Sequence, residues 1–333
     1  MTNSNKHIKI SDSYLEIEIR KSLNQFEGPI EKESLLSLKE FKTYSPDIQN
    51  LTGIEYAENL ISISIPLSPI RYLKPLANIN NLLDLEFNAE QVKDIDILDN
   101  FKNLSNLQIN KMPNIKSPYW ENFTNLKSLG FKNSNIINLS DIAKAPSLSI
   151  FDIENTHIKD QIEIALLSNL NRLRIKNCDF NDLNGLYALE KITDLNLINN
   201  NIENIKYISN MINLKNLNVE NNKIKDLSPL SPIKSLEWVD LGNNQISHVE
   251  DLSTLSSLSL LDISKNDISN IDPLSKTTDL TWLSVANTRI KDLSPLNSLP
   301  KLNHLVIEGN GFNQQTSRIH IPRFKSRGIT VII

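Results

Sequence analysis

The sequence repeats itself every 22 residues, and this period constrains the fold more than any other feature of the chain. A leucine or isoleucine starts each repeat, and further apolar residues stand three and five positions later. In the later repeats an asparagine usually follows eight positions after the start. Each repeat therefore approximates L-x-x-L-x-L-x-x-N-x-I. The starting residues are Leu60, Leu82, Leu104, Leu126, Leu148, Leu170, Ile192, Leu214, Leu236, Leu258, Leu280 and Leu302.

This spacing predicts a stack of similar turns. Side chains alternate along a strand, so positions +3 and +5 point inward while positions +2, +4 and +6 point outward. One repeat cannot bury its apolar face alone, so its neighbours stack on it and form a parallel sheet. The pattern is the leucine-rich-repeat signature. It predicts an α/β right-handed, curved solenoid with a parallel concave sheet, 3₁₀ or short helices on the convex side, and a helical N-terminal cap.

The chain divides into three segments at the points where the repeats begin and end. Residues 1–37 contain two short apolar stretches and predict a helical cap, in which Ser11 or Asp12 begins the first helix. Residues 38–312 hold about 13 repeats. Residues 313–333 predict a C-terminal cap, with a turn at Gly328 before a last strand. Within the array, residues 160–167 predict an α-helix, and the two prolines of 111–118 predict an irregular loop.

Composition narrows the functional classes. Charged residues make up 22% of the chain and the net charge is −4, which argues against a nucleic-acid partner. The single cysteine, Cys178, cannot form an intrachain disulfide, and it occupies the asparagine slot as a small structural residue. Apolar runs are too short for membrane insertion. We expect a monomer that binds a protein.

The residues also argue against catalysis. The five histidines lack metal-like spacing, and the eight glycines form no phosphate-binding loop or dinucleotide fingerprint. Asp240 and Asp262 are predicted neighbours, and repulsion between two carboxylates raises a pKa, but an open solenoid face offers no deep cleft for catalysis. We therefore expect no enzyme, no cofactor and no metal.

One predicted outward surface near the C-terminal end stands out as a binding site. Strands of one sheet lie about 4.8 Å apart, so equivalent positions of successive repeats form columns. Aromatic side chains rimmed by carboxylates are typical of a binding hot spot. The alternative is a structural role, in which these side chains only cover one another. The tryptophan column comprises Trp238, Leu260, Trp282 and His304, and its acidic neighbours are Asp240 and Asp262.

A second candidate surface is basic. Arg172, Arg174 and Lys176 occupy the outward positions of one repeat, and we call them the basic patch. They favour an acidic partner. Carboxylates in the flanking repeats leave a second interpretation open, in which opposite charges pair across strands and neutralise one another.

The repeat resembles a known family. The form N-x-I-x-D-L-S-P-L, together with the N-terminal stretches 14–20, 28–30, 51–56 and 59–60, is similar to bacterial internalin-type leucine-rich-repeat proteins. The short repeat also resembles eukaryotic phosphatase-regulatory subunits, although D-L-S-P-L fits them less well. The internalin resemblance implies a non-enzymatic, internalin-like module that binds a partner protein on its concave face.

The sequence leaves two other functions open. One is an intracellular adaptor or inhibitor of a bacterial enzyme or toxin, and the other is binding of a glycan or cell-wall polymer by the tryptophans. The first residues lack the apolar core of a secretory signal, which favours the cytoplasm for the chain as given. The family resemblance instead implies a secreted or cell-surface protein.

Overall fold

The computed structural model describes residues 7–113, 118–135 and 137–333. They divide into two compact units, which we call unit 1 (Met1–Lys159) and unit 2 (Asp160–Ile333). Residues 1–6 of the predicted cap and residues 114–117 of the predicted irregular loop lie outside the described residues.

Unit 1 begins with two α-helices, α1 (Ser13–Leu23) and α2 (Lys32–Ser37). Asp12 is the N-cap of α1, as predicted, and its Oδ1 accepts hydrogen bonds from the backbone N–H groups of Tyr14 and Leu15. Leu15 and Ile19 pack into the core. Ile17, an apolar residue of the same stretch, is about half exposed, because it lies on the opposite side of the helix.

The sheet of unit 1 follows the repeat. Six strands pair in parallel in sequence order, and the register joins equivalent positions 22 residues apart. The strands are β1 (Glu40–Lys42), β2 (Ser62–Ile65), β3 (Asp84–Asn88), β4 (Asn106–Asn110), β5 (Ser128–Lys132) and β6 (Ile150–Glu154).

Unit 2 continues the same design with eight strands that also pair in parallel and in sequence order. The strands are β7 (Arg172–Lys176), β8 (Asp194–Asn196), β9 (Asn216–Asn218), β10 (Trp238–Asp240), β11 (Leu260–Asp262), β12 (Trp282–Ser284), β13 (His304–Val306) and β14 (Thr330–Ile332).

The return segments of unit 1 are single turns. Most are 3₁₀ helices, because few residues remain to reverse the chain within a 22-residue repeat. The 3₁₀ helices are Ile54–Tyr56, Lys74–Leu76, Ile95–Asn100 and Trp120–Asn122, and α3 (Leu139–Ile142) is a short α-helix.

Unit 2 uses 3₁₀ helices throughout its array and ends in a helical cap. The 3₁₀ helices are Gln161–Leu166, Asn184–Ala188, Lys206–Ile208, Ser228–Leu230, Glu250–Thr254, Asp272–Lys276 and Ser294–Ser298. A π-helical turn (Thr316–His320) leads into α4 (Ile321–Ser326), and Gly328 then adopts a positive φ before β14. The predicted α-helix over 160–167 is wrong, since its six helical residues form 3₁₀ turns.

Buried asparagines hold successive repeats of unit 2 together. Asn222 is a representative, because its Nδ2 donates to the carbonyl oxygens of Leu197 and Val219, 2.9 Å away in each case. Its Oδ1 accepts from the N–H groups of Asn200 and Ile202. The prediction that this amide is satisfied by the backbone of adjacent turns is confirmed. Where the slot holds Ser134 or Thr156, in unit 1, the hydroxyl makes a smaller set of similar bonds.

The position before this slot has a conformational role that the sequence pattern did not reveal. The backbone there has a positive φ of 50 to 57° in successive repeats, and of 68° at the one glycine. Asparagine tolerates this left-handed region better than other residues with a side chain. In the tandem asparagines of unit 2, the first asparagine therefore adopts the left-handed turn conformation. The second is buried and forms the hydrogen bonds that bridge adjacent repeats. The residues with positive φ are Lys111, Asn133, Asn155, Asn177, Asn199, Asn221, Asn243, Lys265, Asn287 and Gly309.

The architecture confirms the predicted fold class. In both units, positions +3 and +5 are buried, strands pair in parallel, and single helical turns return the chain. Both are leucine-rich-repeat solenoids.

Candidate functional site

The predicted tryptophan column exists in unit 2. Trp238 pairs with Leu260, Leu260 with Trp282, and Trp282 with His304 in the parallel register of β10 to β13. Because adjacent strands lie about 4.8 Å apart, the two tryptophan Cα atoms are about 10 Å apart.

The exposure of the column differs in part from the prediction. Leu260 is 38% exposed and His304 is exposed. Trp238 and Trp282 are half-buried rather than fully open to solvent. The alternation of side chains along a single strand does not predict this partial burial. The remaining open surface of the column is still apolar and aromatic.

The acidic neighbours have a structural role that sequence reasoning missed. Asp240 Oδ1 accepts a hydrogen bond from the N–H of Gly242 at 2.9 Å, and Asp262 Oδ1 accepts from the N–H of Ser264 at 2.7 Å. Asn218 caps the same turn one repeat earlier by accepting from the N–H of Glu220. The sequence could have predicted this role, because an Asp or Asn side chain commonly accepts a hydrogen bond from the backbone N–H two residues later in a turn.

Asp240 is electrostatically unusual. Burial raises the pKa of its carboxyl from 3.8 to about 6, and the negative charges of Asp262 and Glu220 add to this effect. Hydrogen bonds from Gly242 and Asn218 oppose it, the latter from Nδ2 at 3.2 Å. Desolvation and like-charge repulsion outweigh these donors.

The basic patch lies on β7. Arg172 is exposed, while Arg174 and Lys176 are half-buried. Arg172 Nη2 lies 3.8 Å from Asp194 Oδ1, a carboxylate on the next strand. This contact supports pairing of opposite charges between strands for at least one member of the patch.

Unit 1 has several open depressions that sequence reasoning did not single out, and two of them follow the strands. One, of about 750 Å³, follows the edge where the strands begin, and its asparagines are already engaged; Asn103 Nδ2, for example, donates to the carbonyl of Asn80 at 2.8 Å. The other, of about 390 Å³, lies on the outward side of β1 to β5. Gly130 adjoins it, and a Cβ atom there would collide with the side chain of Gln108. The small residues at outward positions of these strands are the sequence feature that could have predicted this second depression.

Metal-binding and membrane-spanning features are both missing from residues 7–113, 118–135 and 137–333. No group of three histidine, cysteine or acidic residues in these ranges has the arrangement needed to bind a metal ion. None of the helices in this part of the chain combines the length and apolarity that a membrane span requires.

Comparison with known proteins agrees with the repeat pattern. The family model described as "Leucine rich repeat" matches residues 212–268. No curated protein matches the chain by sequence. The crystal structure of an internalin (inlF) from Listeria monocytogenes is 26% identical, with a TM-score of 0.76, over 96% of this chain and 94% of that one.

More distant structures share the fold alone. A leucine-rich-repeat protein of Leptospira interrogans is 16% identical with a TM-score of 0.60, covering 91% of this chain and 97% of its own. The leucine-rich-repeat protein FLRT2, in an octameric complex with latrophilin 3 and Unc5D, is also 16% identical with a TM-score of 0.60, covering 89% of this chain and 86% of that one. Together with the 22-residue repeat, these similarities show a leucine-rich-repeat fold that resembles the internalin of Listeria monocytogenes.

Proposed function

We propose that the protein is a non-enzymatic binding module that docks a partner protein on the outward sheet face of unit 2, centred on the tryptophan column. The observation that carries this proposal is the uninterrupted register of Trp238, Leu260 and Trp282 on three adjacent strands. Aromatic side chains that are packed against neighbours yet partly open are the residues that dominate protein interfaces.

The physical setting favours a protein partner. The face is built from regular strands, so the column is held rigidly before binding and little conformational entropy is lost on docking. Polar and acidic groups border the apolar column, as in an interface core surrounded by a polar rim. The leucine-rich-repeat protein FLRT2, similar in fold, is itself part of an assembly with other proteins.

A capture experiment with two matched variants tests the proposal. The wild-type chain, a Trp238→Ala/Trp282→Ala variant and a Tyr187→Ala variant are each used as bait against cytosolic and cell-surface extracts. Tyr187 is 60% exposed and belongs to a 3₁₀ helix rather than to the sheet, so it controls for loss of an exposed aromatic residue. Circular dichroism and urea unfolding establish that the variants are folded.

We expect to capture a protein that binds the wild type and the Tyr187 variant but not the folded double variant. Loss of two central aromatic residues weakens an interface by about 2 kcal/mol or more for each residue. A partner that binds the double variant equally well contradicts the proposed face. Release of the captured protein by soluble cell-wall glycan, but not by buffer, would instead favour the glycan alternative.

A further inference from the structure

We infer that the sheet face of unit 2 selects a partner segment carrying a basic side chain, arginine or lysine, which lies between the tryptophan column and the carboxylates of Asp240 and Asp262. This inference rests on the proposed function and specifies the chemistry of its partner.

The charges on this face have one sign. The outward positions +2, +4 and +6 of the repeats that contain β8 to β13 all lie within the described part of the chain, and they hold no lysine or arginine. Lys215, which lies just before β9, is paired with Glu237 at 3.0 Å, and Asp194 lies near Arg172. The carboxylates at the outward positions are Asp194, Glu220, Asp240, Asp262 and Glu308.

Three of these carboxylates converge. Asp240 and Asp262 are direct partners in the register of β10 and β11. Gly242 follows Asp240, and a Cβ atom placed on it would lie 3.2 Å from Asp240 Oδ1 and 3.5 Å from Glu220 Cγ. These distances place the side chains of Asp240 and Glu220 close together around Gly242.

The carboxylate of Asp240 has no charged counterpart among the groups that act on it. Asp262 and Glu220 are both negative, and the hydrogen-bond donors are the N–H of Gly242 and the amide of Asn218. These neutral donors do not cancel the charge, so burial raises the pKa of Asp240 to about 6. A cation brought by a partner would relieve the repulsion that the free protein retains.

The aromatic rings lie beside these carboxylates. Trp238 shares strand β10 with Asp240 and lies two positions before it, and Leu260 stands in the same relation to Asp262 on β11. A guanidinium or ammonium group contacting the carboxylates is therefore within reach of an indole face, where cation–π attraction adds to the ion pair.

The test is a random-peptide display library selected on the full-length chain, followed by affinity measurement on individual peptides by fluorescence anisotropy. Each peptide is measured against the wild type, Asp240→Asn/Asp262→Asn, Trp238→Ala/Trp282→Ala, and Glu250→Gln/Asp272→Asn. The last variant removes the same charge from 3₁₀ helices, so it controls for long-range attraction. Asparagine already occupies the position of Asp240 at Asn196 and Asn218, so the first variant is expected to fold.

We expect the selected peptides to carry a shared arginine or lysine. Their affinity should fall about tenfold or more in Asp240→Asn/Asp262→Asn and little in the control variant. Replacing the shared basic residue of the peptide by glutamine should not lower its affinity for Asp240→Asn/Asp262→Asn any further. Failure to select any peptide, or selection of peptides without a basic residue, overturns the inference.

The outcomes also separate the inference from the proposed function. Peptides that lack basic residues but lose affinity in the tryptophan variant overturn the inference and leave the docking face in place. Peptides that bind the tryptophan variant as tightly as the wild type contradict both.

Acidification provides an independent readout. A bound cation favours ionised Asp240, so protonation of this group competes with binding. Affinity for the selected peptides should fall up to about tenfold between about pH 7.5 and pH 5. The decrease should persist in His304→Gln, which removes the imidazole of the same face, and should be strongly reduced in Asp240→Asn. An unchanged decrease in Asp240→Asn would contradict the assignment.

Discussion

At the scale of single residues, the sheet face of unit 2 holds a half-buried carboxylate, Asp240, whose negative charge lowers the stability of the folded protein. Asp240 is held half-buried beside two other carboxylates, where a neutral side chain would be better accommodated. Asn218, its equivalent on β9, makes the same turn hydrogen bond without the charge. Retention of a costly group at a candidate site is common where function opposes stability.

This arrangement predicts that Asp240→Asn stabilises the free protein at neutral pH. The pKa of Asp240 is higher in the folded than in the unfolded chain, so the folded protein binds more protons between about pH 4 and pH 6. Stability due to this group is therefore present at low pH and is lost as the pH rises through about 6. We expect a gain of about 1 kcal/mol at pH 7.5, discounted for partial solvent screening.

Urea unfolding of the wild type and Asp240→Asn across this pH interval measures the effect. The control is Asp279→Asn, whose carboxylate lies in an exposed pair with Lys301. An Asp240→Asn variant that is less stable than the wild type at neutral pH would show that the charge is compensated in the folded state.

The buried asparagines act in the opposite sense and stabilise the stack. In Asn222→Ala, the N–H groups of Asn200 and Ile202 and two or more carbonyl groups lose their partner inside the protein. We expect a loss of about 3 kcal/mol in the free energy of unfolding. Asn222→Thr should lose less, because Thr156 makes two hydrogen bonds from the same slot.

Equilibrium urea denaturation checks this prediction, with the exposed Asn184→Ala as a control. Equal losses for Asn222→Ala and Asn184→Ala would mean that the buried amide contributes little to stability.

At the scale of elements, the repeat length outweighs local propensity. Residues 161–166 have a sequence suited to an α-helix, yet they form 3₁₀ turns, because the strand-to-strand interval leaves room for little more than one tight turn. The strands and their register were predictable from the sequence, since a single apolar period determines both. The helix type was not, because the geometric limit comes from neighbouring repeats rather than from the segment itself.

The N-terminal helix shows a similar limit. Its N-cap was predictable, but the second oxygen of Asp12 also accepts hydrogen bonds from the N–H groups of Gln49 and Asn50, at 2.9 and 3.1 Å. This link joins α1 to the loop after β1, and no local sequence rule relates residues so far apart. The carboxylate thus caps a helix and attaches it to the first repeat.

The double role of Asp12 predicts graded effects of substitution. Asp12→Ala should destabilise unit 1 by about 2 kcal/mol, since four N–H groups lose an acceptor. Asp12→Asn should lose about half as much, because the amide keeps one acceptor oxygen for the helix cap. Thermal unfolding with amide exchange of α1 distinguishes the two variants, and identical behaviour of Asn and Ala would argue against the link to Gln49 and Asn50.

At the scale of the whole molecule, the two units differ in how regularly the repeat is kept. The tandem asparagines and most of the buried asparagine bridges belong to unit 2, whereas Glu90 and Met112 occupy the slot in two repeats of unit 1. In a linear array, stability depends on each repeat and its nearest neighbours. The regular repeats should therefore be the more stable ones.

Hydrogen exchange tests this difference. We expect the strand amides of β2 to β4 to exchange faster than those of β9 to β12 under native conditions. Uniform protection factors in both sets would contradict the dependence on the asparagine bridges.

The sequence predicted which residues of the candidate site align, but not how far they are buried or which hydrogen bonds they form. The columns follow from the 22-residue period, so the sequence alone aligns Trp238, Leu260 and Trp282. Their partial burial and the turn-capping role of Asp240 and Asp262 depend on side-chain packing between repeats, which the period does not encode.

Tryptophan footprinting of the complex is the decisive measurement for docking on the sheet face of unit 2. The chain has three tryptophans, and Trp120 is buried in unit 1, where it serves as an internal reference. Hydroxyl-radical oxidation is measured for each tryptophan by mass spectrometry, with and without the captured partner. We expect the partner to protect Trp238 and Trp282 and to leave Trp120 unchanged. Unaltered oxidation of Trp238 and Trp282 in a saturated complex would contradict binding at this face.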